Sequence, residues 1–325
     1  MHVPTLHTWL PTYTKRLKYN NIRLNVGNVV KVKMNIVHRI TRKTASELHS
    51  LFSPFLYTGM DAQQTIINLI EEDNPCMIAR FGSVEIQAVI NGQMPYPFSK
   101  ILQKRTYTYL INNAGFFPVN RKYVKRFSRL MMEDMKLLDA LGSWRIEENL
   151  FRHKLKHTKK IKLSEFAPNP NNIYYSYLKN KKVLVVSPFA ELIEKQYYSH
   201  RAKIWPECKI LPEYTSLETV TAVNSIGGRC NYPTWFDALD AMKKEIEKKD
   251  FDIALLGCGA YGFPLAAHIK RMGKKAIHVG GCLQLLFGIY GKRWEKSSYI
   301  NDYWIRPRVQ DRPIGFENVE NGCYW

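Results

Sequence analysis

Cysteine is scarce in this sequence, and none of the six cysteines lies two or three residues from another. Zinc ribbons need cysteine pairs at such short spacings, so the pattern argues against a site of that kind. The chain also lacks both an apolar run of about 18 residues and the apolar core of a signal peptide. These absences predict a reduced, soluble, cytoplasmic protein, for which peripheral association with the inner face of a membrane stays open.

Acidic residues are few compared with basic ones: 28 Asp and Glu stand against 48 Lys and Arg, which gives a formal net charge of +20. A surplus of this size favours anionic partners. No acid occurs before Glu47, whereas basic and apolar residues alternate through residues 1–46. Residues 1–50 are therefore predicted to form a basic arm. Residues 1–46 would be either solvated or in contact with an anionic membrane surface, and no recognition motif supports nucleic acid.

Strand and helix patterns alternate from residue 180 onwards, as in an open, mostly parallel sheet flanked by helices. The pattern predicts helices over 61–72, 84–90, 100–113, 122–141, from about 189 to 202, 233–249 and 263–272, and strands over 76–81, 183–186, 208–212, 253–256 and 276–279. The predicted fold is a Rossmann-like α/β domain over 51–325, with a helical, basic insertion at about 100–180. Residues 153–162 form a basic block in that insertion, predicted to be an exposed loop or helix end.

Ligands of such sheets bind beyond the carboxyl ends of the strands. Four predicted turns lie there, after Phe81, Val186, Leu256 and Val279. In the first, "IARFGSVEI" places Arg80 and Glu85 on either side of Gly82, where they form either a surface ion pair or a ligand-facing turn. The turn at Ser187-Pro188 is either a simple turn or part of the same edge.

The stretch "GCGAYG", Gly257–Gly262, follows a predicted strand and opens a helix, as a dinucleotide-binding loop does. That fingerprint also expects an acid at the end of the next strand to hold a ribose. Here the strand ends at His278, before Gly280 and Gly281, without Asp or Glu. The loop is therefore interpreted either as a phosphate- or nucleotide-facing turn of another kind or as a structural turn. His278 is either a core histidine or a functional one.

Two stretches together resemble the GT-D type glycosyltransferases, bacterial enzymes that use nucleotide sugars. "ARFGSVE" is similar to the strand-end motif R-F-G-D-x-E, whose Asp-x-Glu holds a metal and the donor diphosphate. "LLGCGAYGFPLAAHIKRMGKKAIHVGG" is similar to the later glycine turn, helix and strand of that group. The resemblance spans roughly residues 60–325 and is weakest over 100–180.

The resemblance implies transfer of a sugar from a nucleoside diphosphate sugar, such as a UDP sugar, to a glycan, lipid-linked or protein-linked acceptor in polysaccharide or glycoprotein biosynthesis. Glu85 or His278 would be the catalytic base. Tyr261, Trp294 and Trp304 are candidates for stacking on a base or sugar. The donor-binding residues implied are Arg80, Phe81, Gly82, Ser83, Ser187, Gly257, Gly259, Tyr261, Gly262, Gly280, Gly281 and Arg293.

The sequence departs from the resembling motif at Ser83, which stands where the motif has aspartate. A divalent metal, manganese or magnesium, would then have only Glu85 as a carboxylate ligand, whereas hard cations bind several oxygens. Arg80 could neutralise a diphosphate instead. Two other classes stay open: a nucleotide-binding protein without turnover, and a Rossmann-type enzyme using NAD or S-adenosylmethionine, which the missing ribose acid disfavours.

Overall fold

The computed structural model describes residues 56–95, 98–206 and 210–325, so the predicted basic arm lies outside the described residues. The helices of the described part are α1 (Gly59–Glu71), α2 (Ser83–Gln93), α3 (Phe98–Asn112), α4 (Arg121–Asp134), α5 (Ala190–Ile204), α6 (Trp235–Glu247) and α7 (Gly262–Arg271). The strands are β1 (Met77–Ala79), β2 (Ala140–Ser143), β3 (Lys159–Lys162), β4 (Lys182–Ser187), β5 (Ser216–Thr221), β6 (Ile253–Leu256) and β7 (Lys275–His278). Within the described residues, no helix is both long and apolar enough to cross a bilayer.

The strands form one seven-stranded sheet in the order β3-β2-β1-β7-β6-β4-β5. Every pairing in the sheet is parallel, which confirms the predicted fold class. Because the strands are parallel, all their carboxyl ends lie along one edge. The order makes β1, β7 and β6 neighbours, so the turns that follow these three strands meet at the middle of that edge.

Both faces of the sheet are buried at its central strands, and alternate residues of these strands enter two separate cores. In β4, Leu184 and Val186 pack with α2, α4, α6 and α7, whereas Val183 and Val185 pack with α1 and α5. A strand that is covered on both faces reads as a continuous apolar run. This explains why β4, β6 and β7 were visible in the sequence.

The segment predicted as a helical insertion contains α3 and α4 but also supplies β2 and β3 to the sheet. The predicted helix over 122–141 is wrong in its last part, because α4 ends at Asp134 and Ala140–Ser143 pairs with β1. The short run Ala-Leu-Gly-Ser has no β-branched residue, and its strand forms only through pairing with a segment about sixty residues earlier.

Two further predictions fall at the outer strands of the sheet. The basic block at 153–162 ends in the edge strand β3, in which Ile161 alone is buried between lysines; charged side chains are common on such edges. The strand predicted at 208–212 is wrong over its described residues, 210–212, and the strand that pairs with β4 is instead β5.

Candidate functional site

The turns after β1, β6 and β7 bring Arg80, the Gly257–Gly262 loop and the Gly280-Gly281 pair to one edge of the sheet. Met77 and Ile78 of β1 pair with Ala276 and Ile277 of β7, and β7 pairs in turn with β6. The backbone N–H of Gly280 also donates to the Leu256 carbonyl at 3.2 Å, which ties the second glycine turn to the end of β6.

Arg80 presents a half-buried guanidinium at this edge. Its central carbon lies 5.3 Å from the centre of the Trp144 ring. Gly280 also lies close to this guanidinium, since a Cβ atom there would be 3.5 Å from the Arg80 Nη1 atom. Gly280 has a φ of 84°, which a glycine adopts without strain.

The Arg80 guanidinium has no ion pair and no hydrogen bond with any residue that the structure describes, and in particular no ion pair with Glu85. Of the two interpretations of the Arg80–Glu85 motif, the surface ion pair is therefore wrong. A half-buried charge that lacks a protein partner is costly unless it remains hydrated or binds an anion. Arg80 is thus the strongest anion-binding candidate at this edge.

Glu85 is the third residue of α2, and its half-buried carboxylate folds back over Gly82 at the start of that helix. The backbone N–H groups of Val84 and Glu85, at the start of the helix, favour its charged form. Burial raises the pKa of the Glu85 carboxyl above its ordinary value, and Arg80 opposes this rise only in part. The carboxylate therefore caps its own helix and also has the raised pKa expected of a general base.

His278 is buried at the end of β7, with 2% of its surface exposed. Its Nδ1 atom lies 3.2 Å from the Leu256 carbonyl oxygen, and its ring packs against Gly262. Burial, reinforced by the charge of Arg80, lowers the pKa of His278 to about 3. The neutral imidazole donates its Nδ1–H to the carbonyl, so the contacts of His278 are those of a core histidine that braces the glycine loop.

This buried histidine should make folding weaken in acid. Below pH 6.5, the ordinary pKa of histidine, His278 binds a proton in the unfolded chain. In the folded chain it stays neutral down to about pH 3. Stability is then complete above pH 6.5 and falls as the pH drops below it. We expect this residue alone to remove about 2 kcal/mol from the free energy of unfolding between pH 7.5 and pH 5.0.

Urea unfolding of the wild type, of His278→Asn and of the exposed-site control His153→Gln at both pH values measures this effect. His278→Asn should flatten the pH dependence, while the control should keep it. An equal slope in wild type and His278→Asn would contradict the expectation.

Three of the predicted donor-binding side chains are buried and contact other protein groups. The ring of Phe81 is buried and stacks on Phe263, with centroids 4.6 Å apart. The Tyr261 ring stacks on Trp235 at 4.8 Å, and its hydroxyl lies 2.7 Å from Ser225 Oγ. The Ser187 hydroxyl accepts from the Phe189 N–H at 3.2 Å. Phe81, Tyr261 and Ser187 are therefore not carried forward as ligand contacts.

The glycines of the loop after β6 differ in how open they are. A Cβ on Gly257 would lie 3.1 Å from the Gly280 carbonyl oxygen, and one on Gly262 would collide with His278. Gly259, with a φ of 57°, has no atom near the position of an added Cβ. Gly259 is consequently the loop position at which a ligand can approach the backbone most closely. Ser83, the first residue of α2, is half-buried next to Gly82.

Arg293 is held by the carboxyl-terminal segment. It pairs with Glu320, and its Nη1 donates to the Tyr324 hydroxyl at 3.2 Å. The Tyr324 ring in turn packs against Gly281. Burial raises the pKa of Cys282 to about 11, and the charges of Arg80 and Arg293 both oppose this rise, so both cations lie near the Cys282 thiol.

The two tryptophans that were candidates for stacking also contact protein side chains. Trp294 packs near Tyr324 at 5.8 Å, and Trp304 is buried against Trp205 at 5.0 Å.

Sequence reasoning missed the segment after β2, in which Trp144 and Arg145 reach the same edge. The Trp144 Nε1–H donates to the Phe81 carbonyl at 2.8 Å, which fixes the indole beside the end of β1. The only signal in the sequence was a Trp-Arg pair inside a region predicted to be helical. Without β2, nothing placed this pair next to Arg80.

A divalent metal does not fit the residues present. No group of three or more His, Cys, Asp or Glu side chains that could hold a metal ion occurs within the described ranges. The Glu85 carboxylate is folded back over Gly82, and Ser83 brings a neutral hydroxyl where the resembling motif has a carboxylate. Hard cations bind six or more oxygens, commonly with several carboxylates. We therefore derive no step through a metal.

The sequence matches no protein-family model and no curated protein. Its fold is similar to three solved structures of domain of unknown function 1792. One is described as a new glycosyltransferase from Streptococcus sanguinis (14% identity, TM-score 0.36, covering 70% of this chain and 82% of that one). The second is a selenomethionine-substituted structure of the domain (13% identity, TM-score 0.42, 82% and 95%). The third is described as having a distinct glycosyltransferase fold (12% identity, TM-score 0.37, 79% and 92%).

Proposed function

We propose that this protein is a glycosyltransferase that moves a sugar from a nucleoside diphosphate sugar to an acceptor at the carboxyl edge of the β1, β7 and β6 strands. The observation that carries the proposal is the Arg80 guanidinium, which has no hydrogen-bonding partner among the described residues and lies against the Gly280 turn. Glycosyl transfer from such a donor releases a diphosphate, whose charge must be stabilised as the sugar leaves.

Arg80 would bind the diphosphate through charge-assisted hydrogen bonds, which are among the stronger polar contacts in proteins. The open backbone at Gly259 and the amino terminus of α7, which begins at Gly262, would add positive potential at the same edge of the sheet. Arg293 would add to that potential while it stays paired with Glu320.

Glu85 would be the general base that accepts the proton of the acceptor hydroxyl. Its raised pKa makes it a better proton acceptor than an exposed carboxylate. Glu85 lies in the first turn of α2, which follows Arg80 closely in the chain, so the base is at the same strand end as the proposed diphosphate site. His278 would support the loop from behind rather than exchange protons.

The acceptor would be a glycan, a lipid-linked sugar or a glycoprotein of bacterial polysaccharide or glycoprotein assembly. The excess of basic residues suits an acceptor held on a diphosphate at an anionic membrane surface, with residues 1–46 as the contact.

A panel of nucleotide sugars tests the proposal. Purified full-length protein is incubated with UDP, GDP, ADP and dTDP sugars, with manganese and with EDTA, and nucleoside diphosphate release is measured. Release that needs one nucleotide sugar and is lost in Glu85→Gln supports the proposal. Failure of the whole panel, with and without a mixed glycan acceptor, would contradict it.

A nucleotide-binding protein without turnover is the second candidate. The observation in its favour is that Glu85 is engaged as a helix cap while Ser83 replaces the second carboxylate of the resembling motif. Saturable binding of one nucleoside diphosphate, with no sugar-dependent release under any condition of the panel, would establish this second function.

A further inference from the structure

The segment Ser143–Glu148 lies next to Arg80 at the carboxyl edge of the sheet. It follows β2, which pairs with β1, so it leaves the sheet beside the strand end that carries Arg80. Trp144 and Arg145 are both half-buried there. The guanidinium carbon of Arg80 lies 5.3 Å from the centre of the Trp144 ring and that of Arg145 lies 5.1 Å from it. One indole therefore contacts two cations, as cation–π geometry favours.

Arg145 is oriented by an ion pair that leaves part of its guanidinium open. Its Nε and Nη2 donate to the Glu147 carboxylate at 3.1 and 2.5 Å. Gln87 of α2 donates to the same carboxylate at 2.6 Å. A guanidinium has five N–H donors. This two-point contact uses two of them and fixes the plane of the group, so three N–H donors remain to bind a ligand.

Glu147 remains ionised in this arrangement. Burial acts to raise the pKa of Glu147, but hydrogen bonds from Arg145, from the backbone and from Gln87 outweigh it and hold the pKa below its ordinary value. The carboxylate therefore keeps Arg145 in place at all pH values near neutral. A fixed guanidinium loses less conformational entropy on binding a ligand than a free side chain does.

Glu148 sets the backbone of the same segment. Its buried carboxylate accepts the Trp144 N–H at 3.1 Å, the Arg145 N–H at 3.0 Å and the Ser143 hydroxyl. A carboxylate that is 1% exposed and holds consecutive backbone N–H groups fixes the direction in which both side chains leave the turn. Glu148 is therefore a positioning residue for Trp144 and Arg145.

We propose that Arg80 and Arg145, held beside the Trp144 ring, form a metal-independent subsite for the diphosphate of a nucleoside diphosphate. The inference rests on the proposed function for the identity of the ligand, but it concerns binding and not transfer. Arg80 supplies an unpaired cation, and Arg145 supplies oriented donors whose own charge is balanced by Glu147. Two guanidiniums then replace the charge that a metal held by two carboxylates would supply.

The test is calorimetric binding of UDP and of inorganic pyrophosphate to the full-length protein, in EDTA and in manganese. We expect both probes to bind in EDTA with affinities within about twofold of those in manganese. Arg145→Gln should weaken both at least about tenfold, because a charge-assisted contact is lost. Arg308→Gln is the matched control, since Arg308 also pairs with a carboxylate nearby in sequence, Asp311, but lies outside the site.

Glu148→Gln separates positioning from contact. It should weaken binding of both probes about as much as Arg145→Gln while leaving both guanidiniums present, and Trp144→Phe, which keeps a ring, should weaken it less than Trp144→Leu. Far-ultraviolet circular dichroism and urea unfolding identify any variant that fails to fold. If Arg145→Gln fails to fold, Arg145→Lys, which keeps the charge without the two-point geometry, is measured in its place.

Binding of either probe that disappears in EDTA and returns with manganese would overturn the inference, as would unchanged affinity in folded Arg145→Gln and Arg145→Lys. Absence of binding by the wild type would overturn it as well. The first two outcomes leave the proposed function standing, because sugar transfer could proceed with a metal or without Arg145. Failure of the nucleotide-sugar panel leaves the subsite standing, because a diphosphate can bind there whether or not any sugar is transferred.

Discussion

Replacement of Arg80 by glutamine should lower the turnover of the nucleotide sugar donor at least about 100-fold, because removal of one fixed donor from a site that stabilises developing charge typically has that effect. The folded protein should lose little stability, since Arg80 makes no ion pair or hydrogen bond with any described residue. Steady-state nucleoside diphosphate release gives the first quantity and urea unfolding gives the second.

The matched control for Arg80 is Arg126→Gln. Arg126 is an exposed arginine of α4 that stacks on Phe236 at 3.9 Å, so it shares the aromatic contact but not the location. Its variant should keep wild-type turnover. Arg80→Lys, which keeps the charge without the planar fork, should fall between wild type and glutamine. Full turnover in folded Arg80→Gln would remove Arg80 from the mechanism.

Substitution of Gly82 by alanine should abolish most activity while leaving the fold intact. An alanine Cβ would occupy the place of the Glu85 carboxylate, which must then swing away from the start of α2. Gly82 has φ −73° and ψ 152°, which alanine adopts without strain. The entropic gain of about 0.4–1 kcal/mol from replacing glycine offsets the loss of a helix cap of similar size.

The expected loss in kcat is about 100-fold or more, in the range typical for a displaced general base. Glu85→Gln, which keeps the position but not the charge, should lose a similar factor. In the wild type, the acidic limb of the pH–kcat profile should lie above the ordinary carboxyl pKa of 4.5, because burial favours the protonated form of Glu85. If Gly82→Ala retains activity, the folded-back carboxylate is only a helix cap.

Much of the sheet was predictable because buried parallel strands leave a local signature. The runs at 183–186, 253–256 and 276–279 each lie within one residue of an observed strand at both ends. By contrast, β2 is four residues of small or flexible side chains, and its identity depends on pairing Ala140 with Ile78. The end of α4 could not be predicted either, since the buried carboxylate of Asp134 there pairs with a half-exposed arginine distant in sequence, Arg271.

The site residues likewise divide into those that a visible strand predicted and those that depend on tertiary contacts. Arg80 and the two glycine turns were found because ligand sites of parallel sheets lie after strands, and these strands were visible. Trp144 and Arg145 were missed because β2 was missed. The burial of Tyr261 depends on stacking with Trp235 of α6, a tertiary contact that no local pattern encodes. The sequence was therefore sufficient to predict which edge of the sheet carries the site, whereas tertiary packing determines which side chains at that edge are accessible to a ligand.

The central claim is that a nucleoside diphosphate binds beside Arg80 at the carboxyl ends of β1 and β7. A crystal structure of the full-length protein grown with UDP, without divalent metal, tests it most directly. We expect diphosphate oxygens within about 3.2 Å of the Arg80 guanidinium, near Gly280 and the Trp144 ring. A UDP molecule bound with its diphosphate elsewhere, and with Arg80 still unpaired, would contradict the account.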